Sequence, residues 1–409
     1  MAAGQRNVLA LNGDEAVALA VKQCDVDVVA AYPITPQAII VEKFSEYVAD
    51  GEVNTEFVCT ESEHSALTAC LAASAVGART FTASASAGLA LMHEILYVTS
   101  GCRAPVVMAI ANRALSAPIN IHCDQSDSMV ERDCGWIQIY AENSQEIYDS
   151  TIQAFRIAED PKLLLPVMVC FDGFFLSHTL ENVNVLLDEA VRKFVGKRQF
   201  PLVMGHNGKK VPFRLDPHNP LTMGPLDLYD YYFEHKRQQE EAMQEAPRII
   251  MQVHDEYAKS TGRKYGNGLV EAYCLDDADI ATVCVGSTAG TVKAVVDQLR
   301  ARGVRAGLLR LRALRPLPVE DIANALEGVK AVAVMDRSNS FGGYGGAVFH
   351  EVRHALYDAK SHPFVVDYVY GLGGRDMPPD IIRSIYGDLQ EIVKTKRVKE
   401  YVQFAGVRE

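Results

Sequence analysis

Two carboxylates, Glu61 and Glu63, head the stretch TESEHSALTACLAASAVGARTFTASASAGLALMHE (residues 60–94), a run dominated by Ala, Ser, Gly and Leu. Small side chains at this density let backbones approach one another closely. Glu63 then has two readings. Thr60 and Glu63 carry the T-x-x-E spacing of a capping box, in which both side chains only satisfy free N–H groups at a helix start. Alternatively Glu63 is buried, where an unpaired charge is costly, and hydrogen-bonds a protonatable heterocycle with which it shares a proton. Spacing alone favours the capping box.

Arg113, in MAIANRALSAPIN, follows an apolar run. An arginine there can grip a carboxylate or phosphate bidentately, but it is also a common structural ion-pair partner. Thr35 lies between Pro33 and Pro36 in YPITP. Its hydroxyl could be a fixed hydrogen-bond donor, and a purely structural proline turn fits equally well. HCDQSDSMVERD (residues 122–133) offers the hard oxygen ligands a divalent metal prefers. A solvated loop with local Asp turns suits that pattern better. SNSFGGYGGAVFHEV (residues 338–352) has four glycines between a strand and a helix, the place of a phosphate loop. It spells neither GxGxxG nor GxxxxGKS/T, and a tight turn or subunit contact is the better reading.

These residues need a frame. VDVVAAYPITP reads as a buried strand running into a proline-bounded turn, and PQAIIVEKFSEYVADG as a helix starting at Pro36. TEFVCT, ARTFTAS, APVVMAIAN and LPVMVCFDG read as further strands, and GLALMHEILYVTSGC as one helix. Strands and helices alternating at this spacing imply a parallel sheet covered on both faces. Ligands of such sheets sit outside the C-terminal strand ends. The loops there are YPITP, TESEHS, SASAG, NRALSAPINIHCDQSD and FDGFFLSH. From about 195 to 230 the chain turns rich in Pro, Gly and basic residues, and reads as irregular structure wrapping a domain or a neighbour. A long helix broken near Pro247 is expected next. A second α/β domain then begins at about ADIATVCVGSTAG and continues through VKAVAVMDRS and PFVVDYVYGLGG. The expected fold is α/β with two doubly wound domains, over residues 1–260 and 261–409.

A chain of 409 residues is too long for one ordinary core. With 48% hydrophobic and 22% charged residues it is normal for a globular protein. A formal charge of −12 disfavours nucleic acid and anionic membrane as partners. No basic stretch followed by an apolar one marks a signal peptide, and no apolar run is long enough to span a bilayer; a cytoplasmic location is expected. Nine cysteines form no CxxC pair and sit mostly in apolar contexts, as buried reduced thiols do.

Taken in order, AAYPITP, ESEHSA, GLALMHE, NRALSAPINI, SDSMVERDCGWIQ, ALRPLP, FGGYGG and YGLGGRD resemble the α subunit of the 2-oxoacid:ferredoxin oxidoreductases, the pyruvate synthase family. The resemblance runs from about Asn12 to Asp376. It implies a thiamine-diphosphate pyrimidine-binding domain followed by a transketolase C-terminal-like domain. It implies that Glu63 contacts N1′ of the thiamine aminopyrimidine, with Pro33, Ile34, Ser86 and Gly88 also at the cofactor. Arg113 would hold the substrate carboxylate and Thr35 would hydrogen-bond the substrate. The implied reaction is oxidative decarboxylation of a 2-oxoacid, with coenzyme A taking the acyl group and electrons leaving one at a time through iron–sulfur clusters to ferredoxin or another acceptor. The chain has no GDG segment for Mg²⁺ and diphosphate, and no cluster motif. A β subunit carrying the diphosphate and Mg²⁺ site is therefore implied, with γ and ferredoxin-like δ subunits bearing [4Fe-4S] clusters. No metal site is expected in this chain itself. The family pattern TSSQG is SASAG here, with Ala87 in place of glutamine, and DHSD is DQSD. Pyruvate is the default substrate; a branched or aromatic 2-oxoacid such as phenylglyoxylate is the alternative, and a non-catalytic assembly role is a further one.

Overall fold

The computed structural model describes residues 7–206 and 208–408. Residues 1–6, on which the reading of the N-terminus partly rests, lie outside them. Two sheets organise the chain. The first has seven strands in the order Ala313–Arg315, Ile137–Tyr140, Val167–Asp172, Val106–Asn112, Thr80–Ser84, Val28–Ala31, Glu56–Cys59. All neighbours are parallel except Ala313–Arg315, which runs antiparallel to Ile137–Tyr140. The central strands VVMAIAN and VMVCFD are buried at every position, as strands with helices on both faces must be. The second sheet runs Val270–Tyr273, Ala306–Leu311, Ile280–Cys284, Ala331–Asp336, Phe364–Tyr370, Val402–Ala405, parallel except for its first strand. The two doubly wound sheets agree with the expected fold. The strand Ala313–Arg315 comes from the second half of the chain yet completes the first sheet.

The helix Tyr232–Thr261 is continuous, with Pro247 inside it. The expected break is absent. Losing a helical bond at an interior proline costs about 3 kcal/mol, and the surrounding turns bury Ala242, Ala246, Ile249, Ile250 and Val253 in the first core. In contrast, the single helix expected over GLALMHEILYVTSGC is two, Ser86–Leu91 and His93–Gly101, meeting at Met92. Between residues 195 and 230 the chain is mostly irregular, as expected, apart from the paired strands Leu202–Met204 and Lys210–Pro212.

Buried ions join the halves. Glu146, on the helix Ser144–Ala158, takes Arg310 Nη2 at 2.8 Å and Arg312 Nε at 2.9 Å, both from the second half. All three side chains are fully buried. The two guanidiniums outweigh burial and hold the Glu146 carboxyl down at about 2. Nearer the first sheet's C-terminal edge, Asp172 pairs with Arg337 (3.1 Å), Gln125 Nε2 (2.9 Å) and the Ser287 N–H (2.9 Å). Removing one member of such a buried pair strands the other charge, at a cost of about 3–5 kcal/mol. The second sheet is thus anchored onto the loops at the C-terminal ends of the first.

Candidate active site

Glu63 is the first residue of the helix Glu63–Val76. The helix cap is Ser62, whose Oγ accepts the Ser65 N–H at 3.2 Å. Thr60 instead donates its hydroxyl to the carbonyls of Ser62 (3.0 Å) and Ala31 (3.3 Å). The expected Thr60–Glu63 capping box does not form, because the cap falls two residues later and leaves Glu63 at the helix start. Glu63 as a residue is 6% exposed, and its carboxylate has no hydrogen-bond partner among the described residues, its oxygens keeping some contact with solvent. Facing it is Gly88, where a Cβ would stand 2.5 Å from Glu63 Oε1 and 2.7 Å from Ser84 Oγ. Only a glycine lets the helix Ser86–Leu91 approach this closely. The buried Ser84 hydroxyl is also unpartnered. Buried polar groups are nearly always paired, so the orphaned Ser84 hydroxyl, beside a glycine and a carboxylate that meets no protein donor, marks a place shaped for a ligand.

Asp127 ties this corner to the next. Its Oδ2 accepts the N–H groups of Ser86 (2.8 Å) and Arg113 (3.0 Å). Its Oδ1 accepts Asn112 Nδ2 and the Ser128 N–H, both at 2.8 Å. Burial pushes this carboxyl up to about 7, with the N–H donors opposing that rise. Ser86, at φ +48°, also donates its hydroxyl to the Ala114 carbonyl at 2.6 Å.

Arg113 directly follows the strand Val106–Asn112 and is 8% exposed. Its Nη1 donates to the Thr35 carbonyl at 3.0 Å and its Nε to the Asn120 carbonyl at 3.1 Å. Its Nη2 has no partner among the described residues. Thr35 is exposed, and its hydroxyl is likewise free among them. Pro33 is exposed and Ile34 half-buried on the same turn. A Cβ on Gly173 would meet the Asn112 carbonyl at 2.4 Å and Pro36 Cγ at 2.8 Å, so the turn after Asp172 is pressed against these loops too. Contacts thus run from Glu63 through Gly88, Ser86, Asp127 and Arg113 to Thr35. Ala87 is exposed at the start of the short helix, between Ser86 and Gly88.

Two expectations are corrected or narrowed. HCDQSDSMVERD is no solvated loop: Asp124, Gln125, Asp127, Ser128 and Glu131 are all buried, drawn in by backbone donors and by Asp172. No group of three or more His, Cys, Asp or Glu among the described residues could hold a metal ion. In FGGYGG, Gly346 caps the helix Ala347–Tyr357. The free N–H groups there are taken by the chain's own acids: Val348 and Phe349 donate to Asp336 at 2.9 and 2.8 Å, and Gly346 to Asp367 at 2.7 Å. Three of the N–H groups a phosphate would need at that helix start are already taken by carboxylates.

Sequence reasoning did not single out Asp127, Ser84, Asp172 or Arg337. Asp127 stands in an acid-rich run whose members look alike until the fold picks one out. No local signal marks Ser84 or Arg337.

Comparison with known proteins now bears on this geometry. Residues 19–255 match the family model described as pyruvate flavodoxin/ferredoxin oxidoreductase, thiamine diphosphate-binding. Residues 278–382 match pyruvate:ferredoxin oxidoreductase core domain II. The chain belongs to the pyruvate:ferredoxin oxidoreductase family. It is 50% identical over 384 residues to the pyruvate synthase subunit PorA of Methanocaldococcus jannaschii, covering 94% of this chain and 95% of that protein. To the Thermotoga maritima PorA it is 49% identical, covering 98% of each. The ketoisovalerate oxidoreductase subunit VorA of Pyrococcus abyssi is 40% identical, with 96% of each covered. Among solved structures, a 2-oxoglutarate:ferredoxin oxidoreductase from Magnetococcus marinus superposes with a TM-score of 0.72 at 19% identity, over 95% of this chain and 66% of that longer one. A split-gene transketolase, an inactive β4 tetramer, reaches 0.53 at 14% identity over 95% of this chain and all of its own. At these identities the two structural likenesses speak to the fold alone, two α/β domains on mostly parallel sheets; thiamine diphosphate binding is the description of the family model over residues 19–255.

Proposed function

We propose that this chain is the α subunit of a multi-subunit, thiamine-diphosphate-dependent 2-oxoacid:ferredoxin oxidoreductase that forms acyl-coenzyme A and carbon dioxide, with pyruvate as its default substrate. The observation that carries the reading is Glu63, a carboxylate on a buried residue with no protein partner among the described residues, set against a glycine and an orphaned hydroxyl. That corner fits the aminopyrimidine of thiamine diphosphate, with Glu63 at its N1′ and Ser86, Gly88, Pro33 and Ile34 around it. When bound, thiamine diphosphate supplies the electron sink that cleavage of the bond between a 2-oxo carbon and its carboxylate requires. The Glu63 carboxylate would hydrogen-bond N1′ and hold the proton there. The Arg113 guanidinium, with Nη2 unused, binds the substrate carboxylate. The Thr35 hydroxyl donates to the substrate beside it.

The site is a half. Exposed Tyr32, Pro33, Ala87, Leu91, Ile119 and Ile121 surround it, and the sequence has no GDG segment. A β subunit carrying diphosphate and Mg²⁺ completes it, with γ and ferredoxin-like δ subunits taking electrons through [4Fe-4S] clusters to ferredoxin. We place the functional division at 1–260 and 261–409 and the complex in the cytoplasm; no helix among the described residues is long and apolar enough to cross a membrane. The VorA relative keeps a branched 2-oxoacid in view, and the exposed Ala87 leaves room near Ser86. An assembly-only role would leave Glu63 orphaned to no purpose.

The test is turnover by the co-purified complex. Coenzyme A-dependent reduction of ferredoxin is measured with pyruvate, 2-ketoisovalerate and phenylglyoxylate. Pyruvate is expected to give the highest kcat/KM. A complex that turns over none of the three refutes the reading, and one that favours a bulkier acid reassigns the substrate.

A further inference from the structure

The sequence YGLGGRD (residues 370–376) has no part in the chemistry above. It follows the strand Phe364–Tyr370 of the second sheet. Gly371, Gly373 and Gly374 have φ of +64°, +60° and +80°, the left-handed region that glycine occupies without steric cost. The loop reaches across to the first domain. Gly374 N–H donates to the Cys123 carbonyl at 2.6 Å, Asn120 Nδ2 donates to the Gly373 carbonyl at 3.1 Å, and Gly373 N–H donates to Asp124 Oδ2 at 3.3 Å. The approach leaves no room for a side chain: a Cβ on Gly373 would lie 2.4 Å from Asn120 Nδ2, and one on Gly374 would lie 2.4 Å from His122 Cβ. Behind this loop Gly371 packs against Arg337, whose carbonyl accepts the Gln125 N–H at 2.8 Å and whose guanidinium pairs with Asp172.

The segment so gripped, 120–124, is the one that holds Arg113. The Asn120 carbonyl accepts Arg113 Nε, while the Asn120 side chain is occupied by Gly373 and by the His122 N–H at 2.7 Å. We propose that the 371–374 loop of the second domain is a positioning element for the 2-oxoacid carboxylate, fixing the 120–124 segment so that Arg113 is aimed. The proposal rests on the reading of Arg113 as the carboxylate ligand. It gives the second domain a part in substrate recognition, with Gly373, Gly374 and Asn120 as positioning residues that do not touch substrate. The other side of Arg113, at the Thr35 carbonyl, is set by the first domain alone.

The experiment uses the assembled complex with Gly374→Ala, Asn120→Ala, Arg113→Ala and the double variant Asn120→Ala/Arg113→Ala. Gly387→Ala is the control, since its Cβ would meet nothing within 4 Å in the helix Pro379–Thr395. Asn120→Ala keeps the main-chain carbonyl and removes only the grip on Gly373 and His122, so it decides the matter even where Gly374→Ala fails to fold. A misplacement of about 1 Å can cost roughly 10²-fold; the expected result is KM for the 2-oxoacid raised at least about tenfold in Gly374→Ala and in Asn120→Ala. The kcat should change far less, with thiamine diphosphate affinity and the control unchanged. In the double variant the KM effect of Asn120→Ala should vanish, because coupled residues are not additive. If Asn120→Ala leaves KM within about twofold while Arg113→Ala raises it, or if the two effects add in full, the positioning role is overturned and the Arg113 reading stands. If Arg113→Ala itself leaves KM unchanged, the carboxylate reading falls and the proposal with it.

Discussion

Glu63, 6% exposed as a residue, meets no donor among the described residues and has no structural task there that would explain its place beside Gly88. Replacing it by glutamine keeps the shape and a hydrogen-bonding group but removes the shared proton. Turnover of the assembled complex with Glu63→Gln is expected to fall by about 10²–10⁴-fold, the usual weight of a lost proton-transfer group, while thiamine diphosphate stays bound. Steady-state rates beside cofactor content measured on the same preparation check this; near-normal turnover would return Glu63 to a structural role. Arg113 divides charge from geometry. Both Arg113→Lys and Arg113→Ala lose the fork, and only lysine keeps the charge. KM for the 2-oxoacid should rise in both and more in the alanine variant, and an unchanged KM in that variant sinks the carboxylate role. The positions of these two residues, at a helix start and after a strand, were readable in the sequence; spacing alone favoured structural roles for both, and only the family resemblance implied chemistry for them. The cap at Ser62 was not readable: Ser62 and Thr60 are both good caps, and only the path of the chain after Cys59 decides between them.

At the scale of elements, alternating apolar runs announced most of the parallel strands of both sheets, since strands buried on two faces leave unbroken hydrophobic sequence. Ile137–Tyr140, Ala313–Arg315, Val270–Tyr273 and Val402–Ala405 were not legible. Each is short, and Ala313–Arg315 finds its partner far back along the chain, at Gln138 and Ile139. The glycine-rich turn before the helix Ala347–Tyr357 was legible as a tight turn, but not that two buried aspartates fill its helix start. Asp336 is pushed up to about 6 and Asp367 to about 9, chiefly by burial, with Asp367 raised further by the charge of Asp336. Asp367 Oδ1 has no donor of its own, so one proton held between the two acids satisfies both. Unfolded, each would titrate near 3.9. The folded chain therefore binds extra protons between about pH 4 and 9, and by linkage the stability this pair contributes is full below that window and is lost as pH rises through it. In Asp367→Asn the amide N–H takes the place of the proton and the amide oxygen can still accept the Gly346 N–H. Thermal melts from pH 5 to 9 should show the variant losing less stability than the parent as pH rises, with the two nearly equal at pH 5. Parallel curves across that range would show that no proton is held there.

For the whole molecule, what the sequence lacks matters as much as what it has. The fold brings Thr35, Glu63, Ser86 and Arg113 to one edge of the first sheet, anchors the second domain against the loops there through Asp172 and Arg337, and then stops. The edge stays open, with Ile119 78% and Leu91 51% exposed nearby, and apolar side chains left bare beside a half-built pocket suit the core of a subunit interface. The donors now assembled suit a pyrimidine and a carboxylate. A diphosphate needs Mg²⁺, an oxygen-ligand set to hold it, or a cluster of backbone N–H groups, and the one glycine-rich helix start the sequence offered is taken by Asp336 and Asp367. The isolated chain is therefore expected to bind thiamine diphosphate more weakly than about 1 μM, a threshold equivalent to about −8 kcal/mol, with or without Mg²⁺. A ligand that does not bind the folded state at the concentration used cannot raise its melting temperature, so calorimetric titration and a thermal-shift series should both be flat for the single chain and positive once the companion subunits are added. Sub-micromolar binding by the chain alone would mean that it holds a complete cofactor site, and the shared-site reading would have to be abandoned even though Glu63 and Arg113 stand where that reading needs them.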